Sequence, residues 1–597
     1  MTALNKSSRF LMQATLGANN ALIQQVAEQG VEHWLEQQLN HDLTRAEKQT
    51  YQTSTKNIWQ HFRKRLLASY GEGAINGDGN NPALPYKWYF HMAWWQQALA
   101  SEANGQPEAN DHLLRQRVAQ ALSEVLVISD NSSLELDAVG MASYYDLLYQ
   151  HAFGSYADLL YQVSMHPCMG VYLSHMNNRK AEPAKHIHPD ENYAREVMQL
   201  FTIGLYQLNP DGSRKKDLQG RDIPTYDNDD IKQLARVFTG LTAHSYLYEW
   251  TTSFWGSDYN SHPVSFDDGI DKSYKTVPFV NMTQAMVVHE SYHDRQPKQL
   301  LQGHITLPGG QSGTAEIRTV IERLVAHPST APFIARNLIN QLVTSNPSPA
   351  YVHSVASKFG ARGDLKAVVR EVLTYPLRHA VASVQLPAAY LERGKVVQSQ
   401  KLKSPLLRST QLLRAFGAYN RSGRLWLIGD DIQEPLQQHS LSSPTVFNFY
   451  KPDFIPHGPL GTAALKAPEF ELHTSATSVA YVNLMYYWFF GDYLPAVSTK
   501  INNEVANVAE LNPEILKRNG RDKLRLNFEQ ELVMAADPRQ HDALIDHLSL
   551  VLTGKTNLTI KDKIKAAFRL YRDKPEWVVQ TIVFMLAISP EFTVQEA

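Results

Sequence analysis

Residues 189–205 read PDENYAREVMQLFTIGL, and this stretch predicts how the chain folds around it. Pro189 suits the first position of a helix, where its missing N–H is not needed. Asp190 and Glu191 follow in the first turn, where the helix dipole favours negative charge. Apolar residues recur at helical spacing at Ala194, Val197, Met198, Phe201 and Leu205. The pattern is typical of an amphipathic helix that packs one face against a large core.

The polar face of the same helix carries a candidate site. Glu191 lies four residues before Arg195, and Asn192 lies four residues before Glu196, so each pair meets across one turn. One interpretation is a capped helix with a surface ion pair that contributes ~0.3–0.5 kcal/mol. The other is the wall of a polar cleft, where two acids and a guanidinium hold a divalent cation, bind an anion or transfer protons.

Donor groups crowd the chain just before this helix and favour the cleft. They include His166, His186, His188 and the run 177–180. From this crowding we predict catalytic residues and substrate-binding residues. The predicted catalytic residues are Glu191, Glu196, Arg195 and His166, and the predicted substrate-binding residues are Asn178, Asn192, Arg115 and Arg117. Arg115 and Arg117 have a second interpretation, as core-facing ion-pair partners.

Composition limits the class of protein. The chain has 597 residues, 43% of them hydrophobic, which is enough for a large core and for two or more domains. Its 57 basic and 59 acidic residues nearly balance, so no global field attracts nucleic acid or an anionic membrane. The lone Cys168 excludes an intrachain disulfide and any metal site with two thiolates. No apolar run approaches the ~20 residues of a membrane span.

Helical periodicity predominates along the chain, and strict strand alternation is scarce. Apolar residues recur at helical spacing in 21–39 (with a break at Gly30), 113–127, 144–149, 156–163, 316–326, 332–343, 365–373, 405–416, 542–552 and 561–571. Irregular segments lie at 71–85, 209–230 and 246–280. We therefore predict an all-α protein with a loop-rich insert at about 246–280 that has room for a short β-hairpin. The predicted regions are 1–375, which carries the site, and 376–597, or else one continuous domain.

A second motif points to a metal. Residues 289–293 read HESYH, and on a helix this H-E-x-x-H spacing places His289 and His293 on one face for zinc, with Glu290 as general base. Pro297 follows closely, and no third ligand stands at a familiar spacing. His289, His293 and Asp294 are the predicted metal ligands, and a divalent metal is the only cofactor that the sequence suggests.

The acidic run 227–230 has two interpretations. Its carboxylates could bind calcium, but the run lacks the glycine and the terminal glutamate of an EF-hand. Asp229 or Asp230 instead suits the cap of a following helix that contains Leu234 and Val237.

Taken together, these motifs resemble the bacterial domain-of-unknown-function family numbered 1800. The resemblance covers nearly the whole chain. It rests on the segments 8–17, 114–118, 121–124, 144–148, 166–173, 189–205, 235–240, 342–349, 363–369, 443–450 and 589–592. The resemblance implies a mainly α-helical protein, encoded beside a sulfatase- or phosphatase-like protein of the family numbered 1501. That neighbour is the implied partner.

The residues at the N-terminus and the family resemblance indicate different compartments. Residues 1–20 lack the basic and apolar regions of a signal peptide, which by sequence indicates the cytoplasm. The resemblance implies the periplasm or secretion, with export of the chain bound to its partner.

Three functions follow as hypotheses. The first is an enzyme, a hydrolase or transferase, that acts on a polar, glycan-type or anionic substrate through the Glu/Arg/Asn/His cleft. Ten Trp and 28 Tyr offer surfaces that stack on sugars or simply fill the core. The second is a non-catalytic scaffold or maturation partner of the sulfatase-like protein. The third is a zinc hydrolase built on residues 289–293.

Overall fold

Helices dominate this protein, as predicted. The structure is a computed structural model that describes residues 2–70, 86–100, 111–244, 280–379, 400–419, 423–426, 429–490, 524–556, 558, 560–571 and 573–596. Within these residues the only sheets are three two-stranded antiparallel ladders. No helix in the described part is long and apolar enough to cross a membrane.

The elements run as follows in chain order. Helices α1 to α11 are Ala3–Ala14, Asn20–Gln29, Val31–Leu39, Thr50–Tyr70, Trp88–Leu99, Leu113–Ser123, Ala138–Gln150, Tyr156–Met165, Pro167–Tyr172, Asn192–Gln199 and Asn228–Val237. Helices α12 to α18 are Gly313–Val325, Thr330–Leu342, Pro349–Ala356, Leu365–Arg378, Pro405–Ala415, Gly429–Leu436 and Pro459–Thr462. Helices α19 to α24 are Ser475–Phe490, Glu529–Ala536, His541–Thr553, Lys561–Leu570, Pro575–Ala587 and Pro590–Thr593. Strands β1 to β6 are Leu241–Thr242, Val287–Val288, Lys298–Leu300, Ile305–Leu307, Gln400–Leu402 and Val594–Glu596.

The central helix is shorter than residues 189–205. It begins at Asn192 because the Asp190 carboxylate accepts the Asn192 N–H at 2.8 Å and turns the chain just before it. It ends at Gln199, and the left-handed Gly204 (φ +70°) returns its N–H to the Met198 carbonyl. The predicted apolar stripe is buried from Ala194 to Phe201, whereas Leu205 is 51% exposed because it lies beyond this turn.

The acidic run 227–230 is a helix cap, but its first member is the N-cap. The Asp227 side chain accepts the N–H groups of Asp229 and Asp230, and the Asp230 side chain accepts the Asp227 N–H. This reciprocal capping box starts α11. The run therefore caps a helix, as the second interpretation predicts, but the N-cap residue is Asp227 and not Asp229 or Asp230.

The two ends of the chain meet. Asn5 and Ser8 of α1 donate to the carbonyls of Gly554 and Leu550 at 3.0 and 2.7 Å, and β5 pairs with β6. Most buried apolar side chains form one core that extends from Phe10 to Phe592. The predicted boundary at residue 375 falls inside α15, and the division into two regions stays a prediction.

The insert is anchored at its base. Residues 246–279 and the predicted loop 71–85 lie outside the described residues, but β1 and β2, on either side of the insert, pair with each other. After the insert, Met282 packs on Gly140 and Met286 packs on Gly170, so closely that a Cβ at either glycine would come within 2.6 Å of the methionine. The chain between Met282 and Met286 therefore lies in fixed contact with α7 and α9.

Candidate active site around Glu196

The Glu196 carboxyl is the most chemically unusual group of the central helix. It projects from α10 and is only 6% exposed. Its Oε2 atom has no hydrogen-bond partner among the described residues. Burial raises its pKa, and the neighbouring Arg195 opposes that rise only in part. A buried carboxyl with a raised pKa is a common feature of general acids and bases in enzymes.

Two tyrosines complete the surroundings of Glu196. Tyr172 ends α9, and burial raises its pKa to about 12, with the Ser443 hydroxyl acting against the rise and Glu196 adding to it. Tyr226 precedes α11, and its hydroxyl donates to Gln199 Oε1 at 2.9 Å. Burial raises the pKa of Tyr226, which also senses the charges of Arg195 and Glu196. Both phenols therefore stay protonated at neutral pH, and the Tyr226 proton is engaged by Gln199.

Sequence reasoning missed Tyr172, Tyr226 and Ser443 as site residues. Residues 172 and 443 lie in the segments 166–173 and 443–450 that carry the family resemblance, so a signal existed for both. Tyr226 stands one residue before the N-cap of α11, and its only sequence signal was the cap itself.

Glu191 and Arg195 form a surface ion pair. Their closest atoms are 3.8 Å apart, and both side chains are more than 40% exposed. Such a pair contributes little to stability. Arg195 remains available to a ligand beside Glu196, and a catalytic role for Glu191 stays a prediction.

The two asparagines hold the turn before α10. Asn178 is buried, and its Oδ1 accepts the Asp190 N–H at 2.8 Å. Asn192 is exposed, and its side chain reaches the Ser174 hydroxyl at 3.4 Å. Asn178 thus positions the helix start, and substrate binding by either residue stays a prediction.

His166 lies at the opposite end of α9 from Tyr172. Its Nδ1 accepts the Cys168 N–H at 3.2 Å and caps the helix, which places the ring proton on Nε2. Burial lowers its pKa to about 3, so the ring is neutral at physiological pH. Nε2 has no partner among the described residues.

His166 lines a cavity of about 570 Å³. The apolar residues that line this cavity are Leu147, Met165, Ala285, Met286, Val287 and Val288, and the other lining residues are polar. The polar side chains that make no hydrogen bond within the described residues are Lys48, Gln49, Gln52, Ser143, Tyr161 and Thr314. A cavity of this size with amides and hydroxyls in its lining fits a small polar ligand.

Arg115 and Arg117 point into the core. Arg115 donates to three backbone carbonyls, those of His41, Tyr149 and Gln150. Arg117 is 2% exposed and donates to the Gln341 carbonyl. This placement matches the core-facing alternative, and substrate binding by either arginine stays a prediction.

The H-E-x-x-H residues do not adopt the helical geometry of a zinc site. Residues 287–288 form β2, and 289–293 form a turn. His289 is exposed, whereas His293 is buried and its Nδ1 donates to the Thr239 carbonyl at 2.9 Å. Glu290 accepts the Gly313 N–H at 3.0 Å and so caps α12. The two imidazoles therefore face different surroundings.

The remaining groups of this motif are already paired. Arg236 binds both oxygens of the Asp294 carboxylate at 2.8 and 3.1 Å. Burial alone would raise the pKa of Asp294, but these hydrogen bonds hold it below its usual value. Across the described residues, no three His, Cys, Asp or Glu side chains are grouped to hold a metal ion.

Comparison with known proteins gives one match. The model of a family described as "Protein of unknown function (DUF1800)" matches residues 9–594. No curated protein and no solved structure matches the chain.

Proposed function

Because the chain belongs to the DUF1800 family, which is described only by its unknown function, we propose a function from the site itself: an enzyme that uses Glu196 to transfer protons on a polar, polyhydroxylated substrate. One observation carries the proposal. Glu196 is a buried carboxyl without a hydrogen-bond or ion-pair partner in the described structure. Such a group destabilises a fold, so its presence there favours a functional role.

The proton transfer follows from the neighbours of Glu196. The protonated carboxyl donates its proton to the oxygen of a leaving group, and the resulting carboxylate takes a proton from the attacking water or hydroxyl. Arg195, whose charge acts on both Glu196 and Tyr226, orients the substrate oxygens. This chemistry fits a hydrolase or a transferase.

The substrate class is supported by the cavity at the other end of α9. His166 caps the start of α9 and Tyr172 ends it, and six residues at a rise of 1.5 Å separate the two ends by about 9 Å. Amides and hydroxyls there offer both donors and acceptors, as sugar hydroxyls require. His166 contributes a neutral donor at any pH well above 3.

The test is a screen of oligosaccharides and aryl glycosides for release of reducing ends or phenol. Glu196→Gln should fold normally and lose activity by about 10²–10⁴-fold, whereas Glu28→Gln on the exposed side of α2 should keep most of it. Full activity in Glu196→Gln would remove Glu196 from the chemistry. No turnover by the wild type on any glycan would remove the substrate class.

A second candidate, the non-catalytic partner, rests on a different surface. Tyr486 and Tyr487 of α19 and Trp577 of α23 are 46–52% exposed, and rings of the two helices lie within 6.4 Å of each other. Exposed aromatic side chains are typical of protein contacts. If the sulfatase-like protein of the neighbouring family docks there, the two proteins should co-elute, and Tyr487→Ala/Trp577→Ala should abolish co-elution while Glu196→Gln should not.

A further inference from the structure

The polar face of α10 carries one further side chain beside Glu196. Residues 192, 195, 196 and 199 of this helix are polar and recur at intervals of three and four. At 3.6 residues per turn, Gln199 lies about 40° around the helix axis from Arg195 and about 60° from Glu196. Its side chain therefore leaves the helix between these two residues, one turn further along.

Tyr226 fixes the orientation of the Gln199 amide. The phenol hydroxyl donates to Gln199 Oε1 at 2.9 Å, and both residues are half-buried. The chain on either side of Tyr226 is anchored, because the Thr225 N–H donates to the Leu205 carbonyl at 3.1 Å and Asp227 is the N-cap of α11. The hydrogen bond thus joins two elements whose relative position is already set.

This orientation leaves the nitrogen end of the amide for a ligand. Tyr226 is the only hydrogen-bond partner of the Gln199 side chain within the described residues. The neighbouring Arg195 guanidinium makes no hydrogen bond in the same part of the chain, and its contact with Glu191 is 3.8 Å long. The two side chains present N–H donors next to each other, and a ligand oxygen that accepts hydrogen bonds matches them. With Glu191 and Glu196 close by, a neutral oxygen is favoured over a second anion.

We propose that Gln199 is a substrate-binding residue of the Glu196 site, whose amide N–H groups donate to a neutral acceptor oxygen on the sugar unit that Glu196 protonates. Tyr226 is then a positioning residue that keeps the amide in this orientation. The inference rests on the proposed function. The acceptor is either the carbonyl of an N-acetylated sugar or a hydroxyl, and the carbonyl is the closer match because it accepts hydrogen bonds without donating any.

The experiment is steady-state kinetics on paired aryl glycosides that differ only in a hydroxyl or an acetamido group at carbon 2 of the sugar. Gln199→Met keeps the length of the side chain and removes its N–H groups, so KM should rise about tenfold. The kcat value and its pH dependence, which Glu196 sets, should stay close to those of the wild type. A larger rise in KM for the acetamido member of each pair identifies the carbonyl, and an equal rise identifies a hydroxyl.

Tyr226→Phe tests the positioning role. It should raise KM by a smaller factor than Gln199→Met and should have no further effect when Gln199→Met is already present. The matched control Gln25→Met on the exposed side of α2 should behave as the wild type.

Three results would overturn the inference, and they differ from one another. An unchanged KM in Gln199→Met, with Glu196→Gln inactive, would remove Gln199 and keep the proposed function. A joint loss of kcat and melting temperature in Gln199→Met would make the residue structural. Full activity in Glu196→Gln, or no turnover by the wild type, would remove the proposed function and this role with it.

Discussion

At the scale of single residues, two buried carboxylates show opposite solutions to the same problem. Glu316 is fully buried and has the Lys298 ammonium at 2.6 Å and the His293 ring at 3.3 Å. Glu196 is nearly as buried, yet it lacks any such partner in the described structure. The first arrangement stabilises the fold around β3 and α12, and the second leaves a carboxyl free for chemistry.

Glu196→Gln should raise stability at neutral pH. Burial raises the pKa of Glu196 in the folded state above its unfolded value, so its protonated form stabilises the fold at low pH and this contribution is lost as pH rises through the folded pKa. The neutral amide avoids this loss, and we expect it to raise the free energy of unfolding by about 1–3 kcal/mol at pH 7. Urea unfolding of the variant and the wild type at pH 7 and pH 4 measures this difference in stability, which should be smaller at pH 4.

The control for that measurement is Glu191→Gln, whose carboxylate is exposed and should change stability by no more than about 0.5 kcal/mol. A loss of stability in Glu196→Gln at pH 7 would mean that the carboxylate holds the fold together, as a structural role requires.

Lys298→Met should destabilise strongly. The substitution leaves the Glu316 carboxylate buried without its ammonium partner, and breaking a buried pair in this way costs about 3–5 kcal/mol. The double variant Lys298→Met/Glu316→Leu removes both charges and should recover much of the loss. Thermal unfolding of both variants checks this, and equal loss in the two would show that packing rather than charge is responsible.

At the scale of elements, two glycines allow the chain after the insert to pack closely against the helices α7 and α9. Gly170 lies in α9 between His166 and Tyr172, and the Met286 sulfur occupies the space that a side chain there would take. The backbone N–H of Met286 also donates to the Met165 carbonyl at 2.7 Å. The wall of the His166 cavity is therefore held directly by α9, the helix that His166 caps.

Gly170→Ala should destabilise by about 1–3 kcal/mol, because the added methyl would lie 2.6 Å from Met286 Sδ. Met286→Ala should also destabilise, through the cavity that it leaves. The double variant should be more stable than the sum of the two losses predicts, since the alanine at 170 then has room. Additive losses in a double-mutant cycle measured by thermal unfolding would contradict the contact.

At the scale of the whole molecule, the last strand closes the fold. Gln595 on β6 is buried and donates to the carbonyls of Leu342 and Val343 at the end of α13. The carboxylate of Glu596 beside it forms ion pairs with Arg9 and Lys555. A short strand thus links the first helix, the middle of the chain and its end.

Gln595→Ala should lower stability by about 1–3 kcal/mol, because two buried carbonyls lose their donor. Gln400→Ala on the partner strand is the control, since that side chain is exposed and should change stability little. Limited proteolysis and thermal unfolding report the effect. An unchanged melting temperature for Gln595→Ala would show that the strand is not part of the cooperative unit.

Local patterns in the sequence were enough to predict the all-α class, the break at Gly30, the capped start of α11 and the central helix, because periodicity and capping are local. The sequence also singled out Glu196, but beside Glu191, which is four-tenths exposed. Which of the two carboxyls is buried could not be predicted from these local patterns, because burial depends on how α10 packs against parts of the chain that are distant in sequence. The same reason separates the imidazoles of 289 and 293: their spacing is a property of the sequence, but the strand that precedes them and the core that buries one of them are not.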